Sequence, residues 1–290
     1  LSQPYHIDGQ TISIGASIGV SLYPLDNSDF DTLMRHADQA MYQAKLAGKN
    51  RYHLFSTEKD QLIIQKNLQL HEVGLALTNQ EFCLFYQPKV NMKTGEVFGA
   101  EALIRWLHPD KGLIPPLKFL PIIEATELEI KVGNWVVNEA LKQLDHWREQ
   151  GINIEVSINI SSYHIQHPSF VAELRAAMAL YPKVHSKNIQ LEILESSALG
   201  DLHSISRIMK SCIHELGVNV ALDDFGTGYS SLTHLRSLPA QTIKIDQSFV
   251  RDMLDDPSDY AIIDGIIGLA QSFNREVIAE GVETSDHGLM

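Results

Sequence analysis

A chain of 290 residues with 44% hydrophobic content can bury a sizeable core and is long enough for one large domain and part of a second. Its formal charge of -13 argues against direct DNA binding, which needs clustered Lys and Arg, and means that an anionic substrate requires bound cations. Cys83 and Cys212 fit no metal-ligand spacing and no apolar run reaches membrane-spanning length, so a reducing, cytoplasmic setting is expected, any upstream anchor lying out of view before Leu1.

Thr11 to Ser21 alternates as a strand does, and Asn27-Ser28-Asp29 then opens a helix. Leu33, Ala37, Ala40, Met41 and Ala44 make its buried stripe and Gly48 closes it, giving one strand-helix unit without the rest of a sheet. Lys45, Lys49 and Arg51 read as a basic last turn that complements the helix dipole. Ser56 to Asn79 carries a loosely amphipathic helical pattern and is expected to be a linker helix. The division is therefore residues 1–55, a linker over 56–79, and a second domain over 80–290.

From Glu81 onward strands alternate with helices at the rhythm of a parallel α/β protein. Strands are expected at Phe82 to Tyr86, Val97 to Ile104, Ile154 to Ile160, Ile189 to Leu194, Val218 to Asp223, Thr242 to Asp246 and Glu276 to Ala279. Helices such as Val132 to Glu149 and Ser204 to Leu216 lie between most of them. This suggests a (β/α)8 TIM-like barrel lacking its last strand, with a doubly wound open sheet as the alternative. The polar residues favour the barrel, because barrel enzymes build their sites at the C-terminal ends of several strands.

Strand parity picks those residues out. In Ile189-Gln190-Leu191-Glu192-Ile193 the apolar positions share one face, which turns Glu192 to the other. The same logic isolates Asn159 in Val156 to Ile160 and Lys244 in Ile243 to Ile245. Buried charges of this kind need a metal, a counter-charge or a ligand. Asp223-Asp224-Phe225-Gly226-Thr227-Gly228-Tyr229-Ser230-Ser231 then puts adjacent acids and a flexible, hydroxyl-rich loop at a strand end, the makings of a metal and phosphate site. Adjacent residues of a regular strand point to opposite sides, so one of the two acids depends on the loop's twist to reach a shared site.

Two resemblances follow. Ser17 to Val20, Ala37 to Lys45 and Gly48 to Tyr52 resemble the C-terminal end of GGDEF domains, the diguanylate cyclase family, as a partial α/β remnant to which no catalytic residue is assigned. Glu101-Ala102-Leu103-Ile104-Arg105-Trp106, with Tyr86 to Val90 before it and Asp223 to Leu232 after it, resembles the EAL domain, the family of cyclic di-GMP phosphodiesterases. Phe119 to Glu124, Ser157 to Ser161, Leu191 to Ser196, Lys244 to Val250 and Ala279 to Thr284 continue the similarity across residues 81–290.

The second resemblance implies hydrolysis of cyclic di-GMP to linear pGpG with two divalent cations, Mg2+ or Mn2+, which suit an all-oxygen ligand set. It implies that Glu101, Asn159, Glu192 and Asp223 hold one ion, and that Asp223 as a bridge, Asp224 and Glu280 hold the other. Lys244 would orient or help deprotonate the attacking water, so that Lys244, Glu280 and Glu101 form the catalytic group. Gln87 and Arg105 would contact substrate. Glu195 would tie down the loop of Phe225, Gly226, Thr227, Gly228, Tyr229 and Ser230. A homodimer through this domain is expected, and a non-catalytic cyclic di-GMP receptor is the rival reading. Glu127 stands where the family has a Gly, and the family's final strand and helix, with a Gln near the metals, are not in the chain. It is expected to be a fragment of a longer protein.

Overall fold

The computed structural model describes residues 5–7, 10–12, 14–198, 202–227 and 232–290, excepting the side chains of 5–7, 10, 57–61, 63–64, 197–198 and 232–234. The chain divides into two compact units, Leu1–Glu72 and Val73–Met290. No helix among the described residues is long and apolar enough to cross a membrane.

In the first unit, β1 (Tyr5–Ile7) and β2 (Gln10–Ile12) form an antiparallel pair. β3 (Ile18–Val20) pairs in parallel with β4 (Tyr52–Leu54), and α1 (Phe30–Leu46) connects them. The alternating stretch expected as one strand is thus two short ones, and the strand-helix unit does have a sheet partner. Asp29 caps α1, accepting from Thr32 N at 2.9 Å, and Ala40 and Ala44 are its buried residues. Asp26 ties the preceding loop to this helix by accepting from Ser28 Oγ and facing His36 Nδ1, both at 2.6 Å. The pattern read as a linker is a single helix, α2 (Thr57–Thr78).

The second unit is built on a sheet of β5 (Phe82–Val90), β6 (Val97–His108), β7 (Gly112–Ile114), β8 (Glu155–Asn159), β9 (Ile189–Leu194), β10 (Asn219–Phe225), β11 (Thr242–Ile245) and β12 (Glu276–Ala279). Its order is β12-β11-β10-β9-β8-β6-β5, with β7 added to β6. This is a curled, seven-strand half-barrel, open between β12 and β5 among the described residues. From β6 to β12 the strands on this path are parallel. β5 departs from the expected parallel rhythm: it runs antiparallel to β6, because the short connection at Asn91 to Glu96 permits a hairpin and not a crossover. Gly95, at φ +72°, takes the left-handed turn there.

Helices cover the outer face. α3 (Leu120–Ile123) leads into α4 (Glu127–Glu149), which buries Ile130, Val137, Ala140, Leu141 and Leu144 at helical spacing. α5 (Ser162–Ile165) and α6 (Phe170–Ala179) follow β8, and α7 (Glu195–Ala198) and α8 (Leu202–Ser211) follow β9. α8 continues as a π-helical turn, Cys212–Leu216, ended by Gly217 at φ +74°. α9 (Leu232–Ser237), α10 (Gln247–Asp252), α11 (Pro257–Ser272) and α12 (Ser285–Leu289) complete the chain. The core lies between this layer and the strands, where Ile158, Leu191, Ile193, Val220, Leu222, Ile243 and Ile245 are fully buried. Each such side chain contributes about 1.5–3 kcal/mol relative to exposure.

His164 on α5 is buried, its ring against Gly133 of α4 and its Nε2 facing Asn134 Oδ1 at 3.0 Å. Burial pushes its pKa down to about 4; Glu173 works the other way and His167 adds to the fall. The folded chain therefore holds His164 neutral where the unfolded chain takes up a proton below about pH 6.5. That contribution to stability is complete above this pH and is lost as pH falls toward 4. The gap corresponds to about 3 kcal/mol. Urea unfolding at pH 7 and pH 4 should show the unaltered chain losing about 3 kcal/mol more than His164→Gln; equal losses would remove His164 as the cause.

Candidate active site

The inward-facing residues at the C-terminal ends of the parallel strands converge on one ammonium group. Lys244 of β11 is 1% exposed, and so is Glu192 of β9. Lys244 Nζ lies 2.7 Å from Glu192 Oε2, 2.7 Å from Glu280 Oε1, 2.9 Å from Asp223 Oδ1 and 3.2 Å from Glu101 Oε2. An ammonium has three protons, and here four carboxylates from four other strands or strand ends compete for them. One positive charge cannot balance this set.

The consequences appear in the carboxyl groups. Burial, reinforced by the charges of Glu101 and Asp223, pushes the Glu192 pKa up against the pull of Lys244. Burial likewise raises Glu280 to about 6. The Lys244 pKa is raised as well: burial works against its charged form, but Glu192, Asp223, Glu101 and Glu280 together outweigh it. Glu192 Oε1 is buried with no hydrogen-bond partner among the described residues. A buried carboxylate oxygen left in this state costs free energy unless something binds it.

Asp224 reaches the same site through local backbone geometry. Between Leu222 and Phe225 the pairing with β11 shifts register, three residues on β10 advancing against two on β11. Asp224 itself sits at φ +53°, in the left-handed region. This twist turns its side chain to the face that Asp223 occupies. Carboxylate oxygens of Asp223, Asp224 and Glu280 consequently lie within 4.8 Å of one another. Burial first, then the charges of Asp223 and Asp246, push the Asp224 pKa up to about 6.

The remaining expected residues are placed less centrally. Asn159 Nδ2 donates to Glu101 Oε1 at 2.7 Å. Gln87 is exposed and lies directly across from Glu101 in the β5-β6 hairpin, on the same face. Arg105 follows Glu101 by four residues on that face; its Nη1 donates to Ile104 O at 2.8 Å and its guanidinium lies 5.5 Å from the centre of the Phe85 ring. Glu195, buried at the start of α7, accepts from Gly226 N at 3.1 Å. Phe225 is buried, and Gly226 has φ +104° where an added Cβ would meet the Phe249 ring at 2.9 Å. Thr227 Oγ1 donates to Asp224 O at 2.9 Å. Gly228, Tyr229 and Ser230 lie outside the described residues.

One acid in contact with the site was not singled out by sequence reasoning. The Asp246 side chain hydrogen-bonds that of Asp224, while its Oδ1 caps α10 by accepting from Ser248 N at 2.9 Å. Burial opposes its ionisation, yet the Ser248 hydroxyl and amide outweigh this and hold its pKa low. The available signal was parity: Asp246 follows Lys244 by two residues and so shares its face.

The donor set fits hard divalent cations. It consists of carboxylate and amide oxygens, with one buried carboxylate oxygen unpaired among the described residues and more negative charge than one lysine balances. Lys244→Met should therefore cost about 3–5 kcal/mol in urea unfolding with chelator present, since it leaves Glu192 buried without its counter-charge. Part of the loss should return with millimolar Mn2+. An unchanged unfolding midpoint in chelator would contradict the role of Lys244 as counter-charge.

The EAL domain model matches residues 71–287, and the model of the diguanylate cyclase GGDEF domain matches residues 1–51. A bifunctional diguanylate cyclase/cyclic di-GMP phosphodiesterase, MucR of Pseudomonas aeruginosa, is 39% identical over 285 residues, covering 98% of this chain and 41% of that protein. The cyclic di-GMP phosphodiesterase PdeR of Escherichia coli is 36% identical over 286 residues, covering 98% of this chain and 43% of PdeR. The chain thus spans about two fifths of the length of these relatives. Among solved structures, the PaMucR phosphodiesterase in complex with c-di-GMP has a TM-score of 0.72 at 37% identity, covering 77% of this chain and 90% of that one. The EAL enzyme Bd1971 in its cAMP- and cyclic-di-GMP-bound form has a TM-score of 0.75 at 33% identity, covering 91% and 70%.

Proposed function

The chain belongs to the EAL domain family, and from that premise we propose that residues 80–290 form a phosphodiesterase domain that hydrolyses cyclic di-GMP to linear pGpG using two divalent cations, Mg2+ or Mn2+. Residues 1–55 would be the C-terminal part of a GGDEF-like domain, joined through a linker at 56–79. The observation that carries the reading is the gathering of Glu101, Glu192, Asp223 and Glu280 around one lysine, with Asp224 turned in beside them.

Glu101, Asn159, Glu192 and Asp223 would hold one ion, and Asp223, Asp224 and Glu280 the other. Bound there, such ions supply Lewis acidity toward the phosphodiester and lower the pKa of water. The residues of the chain do the rest. Were cations bound to the carboxylates, Lys244 would be released from some of its four contacts and would orient the attacking water. With its charged form then less favoured, it could give up its own proton to solvent and so help take one from that water. Its position among Glu192, Asp223 and Glu280 supports a role for its ammonium in stabilising the charge that would develop on the phosphodiester. Gln87, at the open side of the hairpin, would bind the dinucleotide, and Arg105 would meet a phosphate through its planar fork. Glu195, through Gly226 N, would hold the backbone twist that aims Asp224. Relatives named as cyclic di-GMP phosphodiesterases and a c-di-GMP complex of similar fold support the substrate. We further propose a cytoplasmic domain that dimerises through this fold.

Chromatographic detection of pGpG from cyclic di-GMP with Mg2+ or Mn2+ tests the reading directly. The chain should turn over substrate with either ion and stop in chelator, whereas binding without turnover would support a receptor instead. Glu101→Ala should abolish turnover while its thermal unfolding remains cooperative; normal rates would refute its assignment. Glu195→Ala should slow turnover by about 10- to 100-fold, as loss of an outer support does; an unchanged rate would leave the Gly226 contact without a catalytic consequence.

A further inference from the structure

A second buried lysine lies inside the sheet, beneath the acidic cluster. Lys89 of β5 spends its three protons on Ser157 Oγ at 2.6 Å, Glu155 Oε1 at 2.8 Å and Gln190 Oε1 at 3.1 Å. Ser157 Oγ donates to the same Gln190 oxygen at 2.8 Å, and Gln190 Nε2 donates onward to Thr242 Oγ1 at 3.2 Å. Asn219 Nδ2 holds the other oxygen of Glu155 at 2.8 Å. Lys89, Ser157, Gln190 and Thr242 are all buried. The network thus joins β5, β8, β9, β10 and β11.

Several positions at this level lie directly below those of the site. Gly99, Ser157, Gln190 and Thr242 each stand two residues before Glu101, Asn159, Glu192 and Lys244 on the same strand face. Lys89 stands two residues after Gln87 on the antiparallel β5, which also places it on the lower side. The spacing puts this layer about 6.6 Å beneath the acids. Gly99 makes the room: a Cβ there would come within 2.7 Å of Lys89 Cε. Nothing in the proposed hydrolysis uses Lys89, yet three fixed hydrogen bonds from one ammonium set the height of β5 against β8 and β9.

We propose that Lys89 is a positioning residue for one of the two cations. Its network seats Asn159 of β8 and Glu192 of β9, and aligns them with the β5-β6 hairpin that carries Gln87 and Glu101. Among the described residues it does not reach β12, which Glu280 follows, or the bulge of β10 that carries Asp224. This rests on the two-cation reading, and it predicts an asymmetry that loss of general stability would not produce.

Removing Lys89 alone strands Glu155, so the informative variant is Lys89→Met with Glu155→Gln, which neutralises the pair and leaves an oxygen for Asn219. Calorimetric titration of the whole chain with Mn2+, without substrate, should show two steps in the unaltered protein. In the double variant one step should weaken by about tenfold and the other stay within twofold. Unchanged binding in a cooperatively folding variant, or equal weakening of both steps, would overturn the proposal. Should the variant not fold, Ser157→Ala with Gln190→Leu is titrated in its place, with the same expectation and the same contrary results. No Mn2+ binding by the unaltered chain would instead count against the cation reading itself.

Discussion

The second unit depends on one electrostatic constraint: a single buried ammonium surrounded by more carboxylates than it can satisfy. Lys244 contacts Glu101, Glu192, Asp223 and Glu280 at 2.7–3.2 Å. Were all four ionised, three negative charges would stand uncompensated in a poorly hydrated site, before Asp224 is counted. Burial is what makes the imbalance matter, since repulsion that water would screen persists in the interior. Burial first, and the neighbouring carboxylates after it, raise the carboxyl pKa values of Glu192, Asp224 and Glu280. Divalent cations bound there would relieve the same strain.

The fold supplies this site in layers. Outward-facing aliphatic residues of the strands pack on the helices, and inward-facing residues are polar at two successive levels. The lower level is closed, with Lys89 matched by three acceptors. The upper level is open, with Lys244 facing too many and a Glu192 oxygen having no partner among the described residues. The contrast distinguishes a polar layer that holds strands together from one prepared for ligands.

Much of this was legible because strand parity is a strong physical signal. The apolar alternation of Ile189 to Leu194 marked both the limits of β9 and the inward direction of Glu192, and Glu276–Ala279 was bounded equally well. Other features depend on tertiary geometry that periodicity does not encode. Asp224 faces inward only through a register shift and a left-handed residue. The reversal of β5 follows from the hairpin at Gly95, and β7 is too short to leave a pattern. Asp246 was hidden by its ordinary place as a helix cap, and Lys89 by partners 66 to 101 residues away.

The most direct measurement is anomalous diffraction from crystals of this chain soaked in Mn2+. Two manganese peaks are expected, one among Glu101, Asn159, Glu192 and Asp223 and one among Asp223, Asp224 and Glu280, with Lys244 drawn away from at least one of its carboxylates. A fully occupied cluster of four carboxylates on Lys244, with no manganese peak beside it at millimolar Mn2+, would contradict the account.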